Sequence, residues 1–158
     1  MNFLTEHGIG SYEELECKVD AVSARRDTTH TEIKRIESRS AKLTLVMKHA
    51  TTYRQLKPIY DRYRKSGDKE KFLRGHESEI ILFEAAAREL KRLGAVPLPT
   101  TESMKTELAN LNAEKERLLA EYKAARTEAQ EYDTVKQNVD ALLTVPKEQE
   151  QQRRHELE

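Results

Sequence analysis

Between Tyr53 and Arg74, aromatic and cationic side chains alternate: Tyr53-Arg54, Lys57, Tyr60, Arg62-Tyr63-Arg64-Lys65, Lys69, Lys71 and Arg74. Lysine and arginine neutralise phosphates, and tyrosine rings stack on nucleobases, so this mixture is the chemistry of nucleic-acid contact. Arg54, Lys57, Tyr60, Arg62, Tyr63, Arg64, Lys65, Lys69, Lys71 and Arg74 are therefore the candidate DNA-binding residues. The same residues admit a reading without a ligand, in which Tyr53, Tyr60 and Tyr63 form the core of a small helical cap and the cations are its wetted face. Charge is segregated along the chain. Residues 54–74 hold 8 basic and 3 acidic side chains, net +5, whereas 101–158 hold 9 and 13, net −4. The whole chain is neutral, with 28 Lys+Arg against 28 Asp+Glu, which argues against a general polyanion binder and leaves room for a local one.

Other reactive patterns are missing. There is no G-x-x-x-x-G-K-[ST] and no G-x-G-x-x-G, hence no phosphate-cradling loop. The five histidines, His7, His30, His49, His76 and His155, form no H-x-H, H-x-x-x-H or H-E-x-x-H. Glu77 beside His76 points to a different helix face, and Glu13/Glu14 and Glu114/Glu116 belong to helices that offer no pocket for acid–base work. The lone Cys17 can make neither an internal disulfide nor a thiolate zinc site. The expectation is a chain that is not an enzyme, with no catalytic residue, no metal and no cofactor.

The elements that carry these residues read as helices. Charged residues make up 35% and apolar residues 37% of the 158, with 5 Gly, 4 Pro and no Trp, the profile of long solvent-washed helices with thin cores. No apolar run reaches membrane-spanning length, and no apolar leader follows a basic start. A soluble, cytoplasmic protein with no membrane contact is expected. Residues 1–10 are a lead-in, with Gly8 and Gly10 suited to a turn, and Ser11 with Glu14 makes a capping box that starts a helix.

From Tyr12 a 3,4 spacing runs through Leu15, Val19, Val22, Arg26, Thr29, Ile33, Ile36, Ser40, Leu43 and Met47 to Ala50, a coiled-coil seam over the first arm, 11–50. After Pro97-Leu98-Pro99, Thr100 or Thr101 caps a second arm, 101–144. Its seam runs through Met104, Leu108, Leu111, Lys115, Leu118, Tyr122, Ala125, Ala129, Tyr132, Lys136, Val139 and Leu143. Laid antiparallel, the seams set Ala50 against Met104, Leu43 against Leu111, Ser40 against Lys115 and Thr29 against Ala125, so polar positions meet small or polar ones. The predicted fold is all-α: a long antiparallel coiled-coil hairpin with a small helical cap at 51–95. Pro58 should kink or restart the first cap helix. Ser66-Gly67-Asp68 turns the chain, Lys69–Leu73 makes one helical turn, and a helix over His76–Leu93 ends at Gly94. That last helix is apolar over a wide arc and should be the best-buried element. Pro146 should stop the second arm and leave 145–158 as a flexible polar tail.

Four segments carry a family likeness. Leu4-Thr5-Glu6-His7-Gly8-Ile9-Gly10-Ser11-Tyr12-Glu13-Glu14-Leu15, Lys69-Glu70-Lys71-Phe72-Leu73-Arg74-Gly75-His76-Glu77, Leu98-Pro99-Thr100 and Asn138-Val139-Asp140-Ala141-Leu142-Leu143 together resemble the C-terminal helical region of relaxases, the mobilisation nucleases of Gram-positive conjugative transposons. In that family an N-terminal domain holds the nucleophilic tyrosine and a metal-binding histidine cluster, and nothing here matches either. The resemblance implies a helical module without the nuclease domain, supporting DNA mobilisation and conjugative transfer by docking on DNA through the basic cap or on other transfer proteins. The rival expectation is a coiled-coil scaffold that binds protein and no nucleic acid.

Overall fold

A computed structural model of the chain describes residues 2–157, and the side chains of residues 145–148 lie outside that description. Its four helices are α1 (Phe3–Glu6), α2 (Tyr12–Lys65), α3 (Lys69–Arg92) and α4 (Thr101–Glu156), with no strand among the described residues. The all-α expectation therefore holds. The chain divides into two compact units, one of Met1–Ile33 with Glu116–Glu158 and the other of Lys34–Lys115.

Local signals in the sequence explain where the helices start and stop. Ser11 Oγ accepts the Glu14 amide at 3.2 Å, as a capping box requires. The Glu14 carboxylate reaches back one residue further than predicted and accepts the Gly10 amide at 2.6 Å, not that of Ser11. Asp68 caps α3 by accepting the Lys71 amide, and Thr100 Oγ1 caps α4 by accepting the Ser103 amide. Gly94 takes φ +69°, and the pair of bonds Ala95 N–H to Leu90 C=O and Gly94 N–H to Lys91 C=O closes α3 in a Schellman motif.

Three expected boundaries differ. No break separates the first arm from the cap at residue 50: α2 is continuous, and Thr51 and Thr52, poor helix formers, return their hydroxyls to the carbonyls of Met47 and Lys48. Nor does Pro58 break α2. The proline removes one donor, the amide that would reach the Arg54 carbonyl. The turns on either side of it are held because Tyr53 and Tyr60 both stack on Phe83, with ring centroids 4.7 and 4.3 Å away. The predicted stop at Pro146 falls among residues whose side chains lie outside the description, and α4 is assigned on to Glu156. Beyond the proline stand Lys, Glu, Gln and Arg, all good helix formers.

In the unit of Met1–Ile33 and Glu116–Glu158, Ile9, Leu15, Val22, Ala129 and Tyr132 form the core, with Val19, Val135 and Val139 packed against it. The α2 and α4 segments of this unit run in opposite directions, since Tyr12 meets Asp140, Arg25 meets Glu128 and His30 meets Tyr122. The lead-in is more structured than expected. Asn2 caps α1, Gly8 at φ +65° closes it, and Phe3 and His7 lie edge-on to the Tyr132 ring, at 5.1 and 5.6 Å. Each such ring pair adds about 0.5–1.5 kcal/mol to the burial itself.

In the unit of Lys34–Lys115, α2 buries Ile36, Leu43, Val46 and Ala50, α3 buries Ile80, Phe83, Ala86 and Leu90, and α4 buries Met104 and Leu111. The wide apolar arc expected of α3 is only partly covered. One face is buried, while Ile81 and Leu82 are each 55% exposed. α3 also kinks at His76 (φ −137°, ψ 27°), where the sequence suggested two helical pieces. Arg39 to Glu107 at 2.7 Å and Lys115 to Glu37 at 3.4 Å link α2 to α4 at the unit's surface. Exposed pairs of this kind contribute about 0.2–1 kcal/mol each, so apolar burial dominates and the charges set register.

The polar seam residues are mostly satisfied. Thr29, 7% exposed, donates its hydroxyl to the Arg25 carbonyl at 2.8 Å, and Lys115 reaches out to Glu37. Ser40 is the exception: its Oγ is buried with no hydrogen-bond partner among the described residues. Ser40→Ala should raise the unfolding free energy by roughly 1 kcal/mol, through removal of an unsatisfied hydroxyl and better helix propensity. Urea denaturation that shows a loss of stability would mean that the hydroxyl is bonded in solution.

A second expectation concerns Tyr12. Its hydroxyl donates to Asp140 at 2.5 Å, and this bond first, with desolvation and the Asp140 charge after it, pushes the phenol from 10.0 up to about 12. The folded chain keeps a proton that the unfolded chain releases near 10.0, so this stabilisation is intact below that pH and disappears as pH rises to about 12. Wild type minus Tyr12→Phe stability, followed by denaturant melts across this window, should shrink towards zero. A difference that stays constant with pH contradicts the assignment.

Candidate nucleic-acid interface

All ten candidate residues lie in the unit of Lys34–Lys115, on the end of α2 and the start of α3. A tight corner joins the two helices. Ser66 N–H donates to the Tyr63 carbonyl, Ser66 Oγ bonds both backbone groups of Asp68, and Asp68 caps α3. Tyr63 and Phe72 face each other across this corner with ring centroids 6.2 Å apart.

The cations fall into two groups. Arg54 is occupied: its guanidinium donates to Thr101 Oγ1 at 2.7 Å and to the Pro99 carbonyl at 2.6 Å, clamping α2 to the start of α4. Lys57 pairs with Asp61 at 3.0 Å, and the bond raises the lysine's pKa. Arg74 lies 3.8 Å from Glu70, a loose and fully wetted pair. Arg62, Arg64, Lys65, Lys69 and Lys71 are exposed and have no ion pair among the described residues. The first three sit in the last turn of α2, where positive charge suits the helix dipole. Lys69 and Lys71 sit in the first turn of α3, where the dipole disfavours them, and only Asp68 and Glu70 offset that cost.

The tyrosines are placed otherwise than a base-stacking surface requires. Tyr53 and Tyr60 sandwich Phe83, which is 5% exposed, and Tyr63 lies between Tyr60 and Phe72. Phe72 continues the series to His76, whose ring centroid is 4.6 Å away. These ring contacts match the reading of the tyrosines as packing residues. Phe83 belongs to the apolar series expected of the 76–93 helix, but nothing in the sequence marks it or Phe72 as the partner of the tyrosines. The 3,4 spacing of Ile80, Phe83, Ala86 and Leu90 was the signal available for Phe83.

Elsewhere, among the described residues, no group of three or more His, Cys, Asp or Glu is placed to hold a metal ion. His7, His30 and His76 sit separately against Phe3, Tyr122 and Phe72. Cys17 is exposed and unpaired. No helix among the described residues is long and apolar enough to cross a membrane. No protein-family model matches the chain, and no curated protein and no solved structure matches it.

Proposed function

We propose that this chain is a non-catalytic helical module that docks on DNA through the α2–α3 corner, in support of DNA mobilisation as the likeness to relaxase C-terminal regions implies. The observation that carries the reading is the set of five exposed, unpaired cations, Arg62, Arg64, Lys65, Lys69 and Lys71, gathered at one turn of a chain with no net charge. Two of them stand where the helix dipole opposes them, so helix stability does not account for their presence. A scaffold that binds only protein is the second reading, favoured by Ile81 and Leu82, apolar and half exposed on α3.

A gel-shift titration separates the two. DNA docking predicts a complex at low salt that is lost steeply as salt rises, and at least about tenfold weaker binding after Arg62→Ala, Arg64→Ala and Lys65→Ala together. Absence of any shift at low salt leaves the protein scaffold.

The arms 11–50 and 101–144 are further proposed to pair as one antiparallel coiled-coil hairpin that carries the corner. Within each unit the cross-helix partners step in opposite directions along α2 and α4, in support of this pairing. Leu43 and Leu111, 3% and 9% exposed, lie on the expected facing seams. In a Cys17→Ser background, Leu43→Cys with Leu111→Cys should cross-link within one chain at low protein concentration. Disulfides formed only between chains would falsify the hairpin and favour parallel homodimers.

A further inference from the structure

We infer that the α2–α3 corner binds duplex DNA through its phosphates and does not hold single strands by stacking their bases; this rests on the proposal that the corner contacts DNA at all. Two observations carry the inference. First, the rings that a single-strand site would need are already in use. Tyr53 and Tyr60 stack on Phe83 at interplanar angles of 26° and 23°, and turning either onto a base would uncover a phenylalanine that is only 5% exposed. Tyr63 sits between Tyr60 and Phe72, at 6.0 and 6.2 Å, and ties the two sides of the corner together. A base stacked there would compete with the packing that positions the cations.

Second, the charges stand ready without rearrangement. Arg62, Arg64, Lys65, Lys69 and Lys71 need break no ion pair to meet an anion, whereas Lys57 and Arg74 must leave a carboxylate and Arg54 must give up its hydrogen bonds to Thr101 and Pro99. The corner's backbone is fixed by the Ser66 and Asp68 bonds, so the five cations project from a defined turn. Asp68 caps the amino end of α3 by taking the Lys71 amide, which occupies one of its free donors and sets a carboxylate where a phosphate would otherwise sit. Side-chain charge then dominates the binding, and it favours the polyanion with the denser charge. A duplex carries one phosphate per about 1.7 Å of axis, more than either strand alone.

The test is fluorescence anisotropy of the whole chain with a short labelled duplex, one of its strands, and an abasic strand of the same length, each titrated over a salt series. The duplex should bind several-fold tighter than either strand, and the abasic strand should bind as well as the normal one. For the duplex, log K against log salt should have a slope no steeper than about −4.5, and about −1.8 after Arg62→Ala, Arg64→Ala and Lys65→Ala. Helix content by circular dichroism checks that this triple variant still folds. Equal or tighter binding of the normal strand, or a clear loss on removing its bases, overturns the duplex assignment and leaves DNA contact standing. No binding to any of the three at low salt overturns the DNA reading itself.

Discussion

Everything in this chain depends on covering a narrow apolar stripe. More than a third of the residues are charged, and the long helices are wetted on most of their circumference, so each has only one face to bury. Leu15, Ile36 and Met104 are almost fully buried, while their neighbours in sequence are mostly exposed. A helix of this kind gains little from propensity alone and is held by whatever covers the stripe. That explains why the polar positions within the stripes matter more than the many surface charges. Thr29 bonds its own helix, Lys115 reaches solvent and Glu37, and Ser40 does neither.

The stripes were readable because their period is local. Every seam position from Tyr12 to Ala50 is buried or half-buried, as is every one from Met104 to Val139. Only Leu143, at the end of the second series, is exposed. Val46, buried but off the predicted series, shows that the covered face is wider than a strict seam where α3 joins α2 and α4. Helix ends were also legible, since Ser11, Asp68, Thr100 and Gly94 act within a few residues of themselves. The helix α1 was missed although Asn2 and Gly8 mark its two ends, because four residues are too few to show a period.

What escaped the sequence is what depends on distant partners. Nothing near Arg54 shows that its guanidinium will hold Pro99 and Thr101, so it read as one more phosphate ligand. The tyrosines read as core or as stackers from spacing alone, and the contacts with Phe83 and Phe72 show them packed. Pro58 read as a break because its local effect is to remove a bond, while the packing that overrides it comes from α3. The candidate interface was thus legible as a patch of charge and illegible as a division of labour between free cations and occupied ones.

Pro58 still leaves its mark. The Arg54 carbonyl lacks the amide that would normally tie it to the next turn, so the hydrogen-bond ladder of α2 has a missing rung between the clamp at Arg54 and the cations at Arg62–Lys65. Bending stiffness in a helix comes largely from that ladder, and a missing rung is where a bend costs least. Upstream of it the helix is anchored to the start of α4; downstream it carries charge to the corner. Tyr53 and Tyr60 bridge the gap by stacking on the same Phe83, so across residue 58 the stiffness of α2 is supplied by α3 and not by its own ladder.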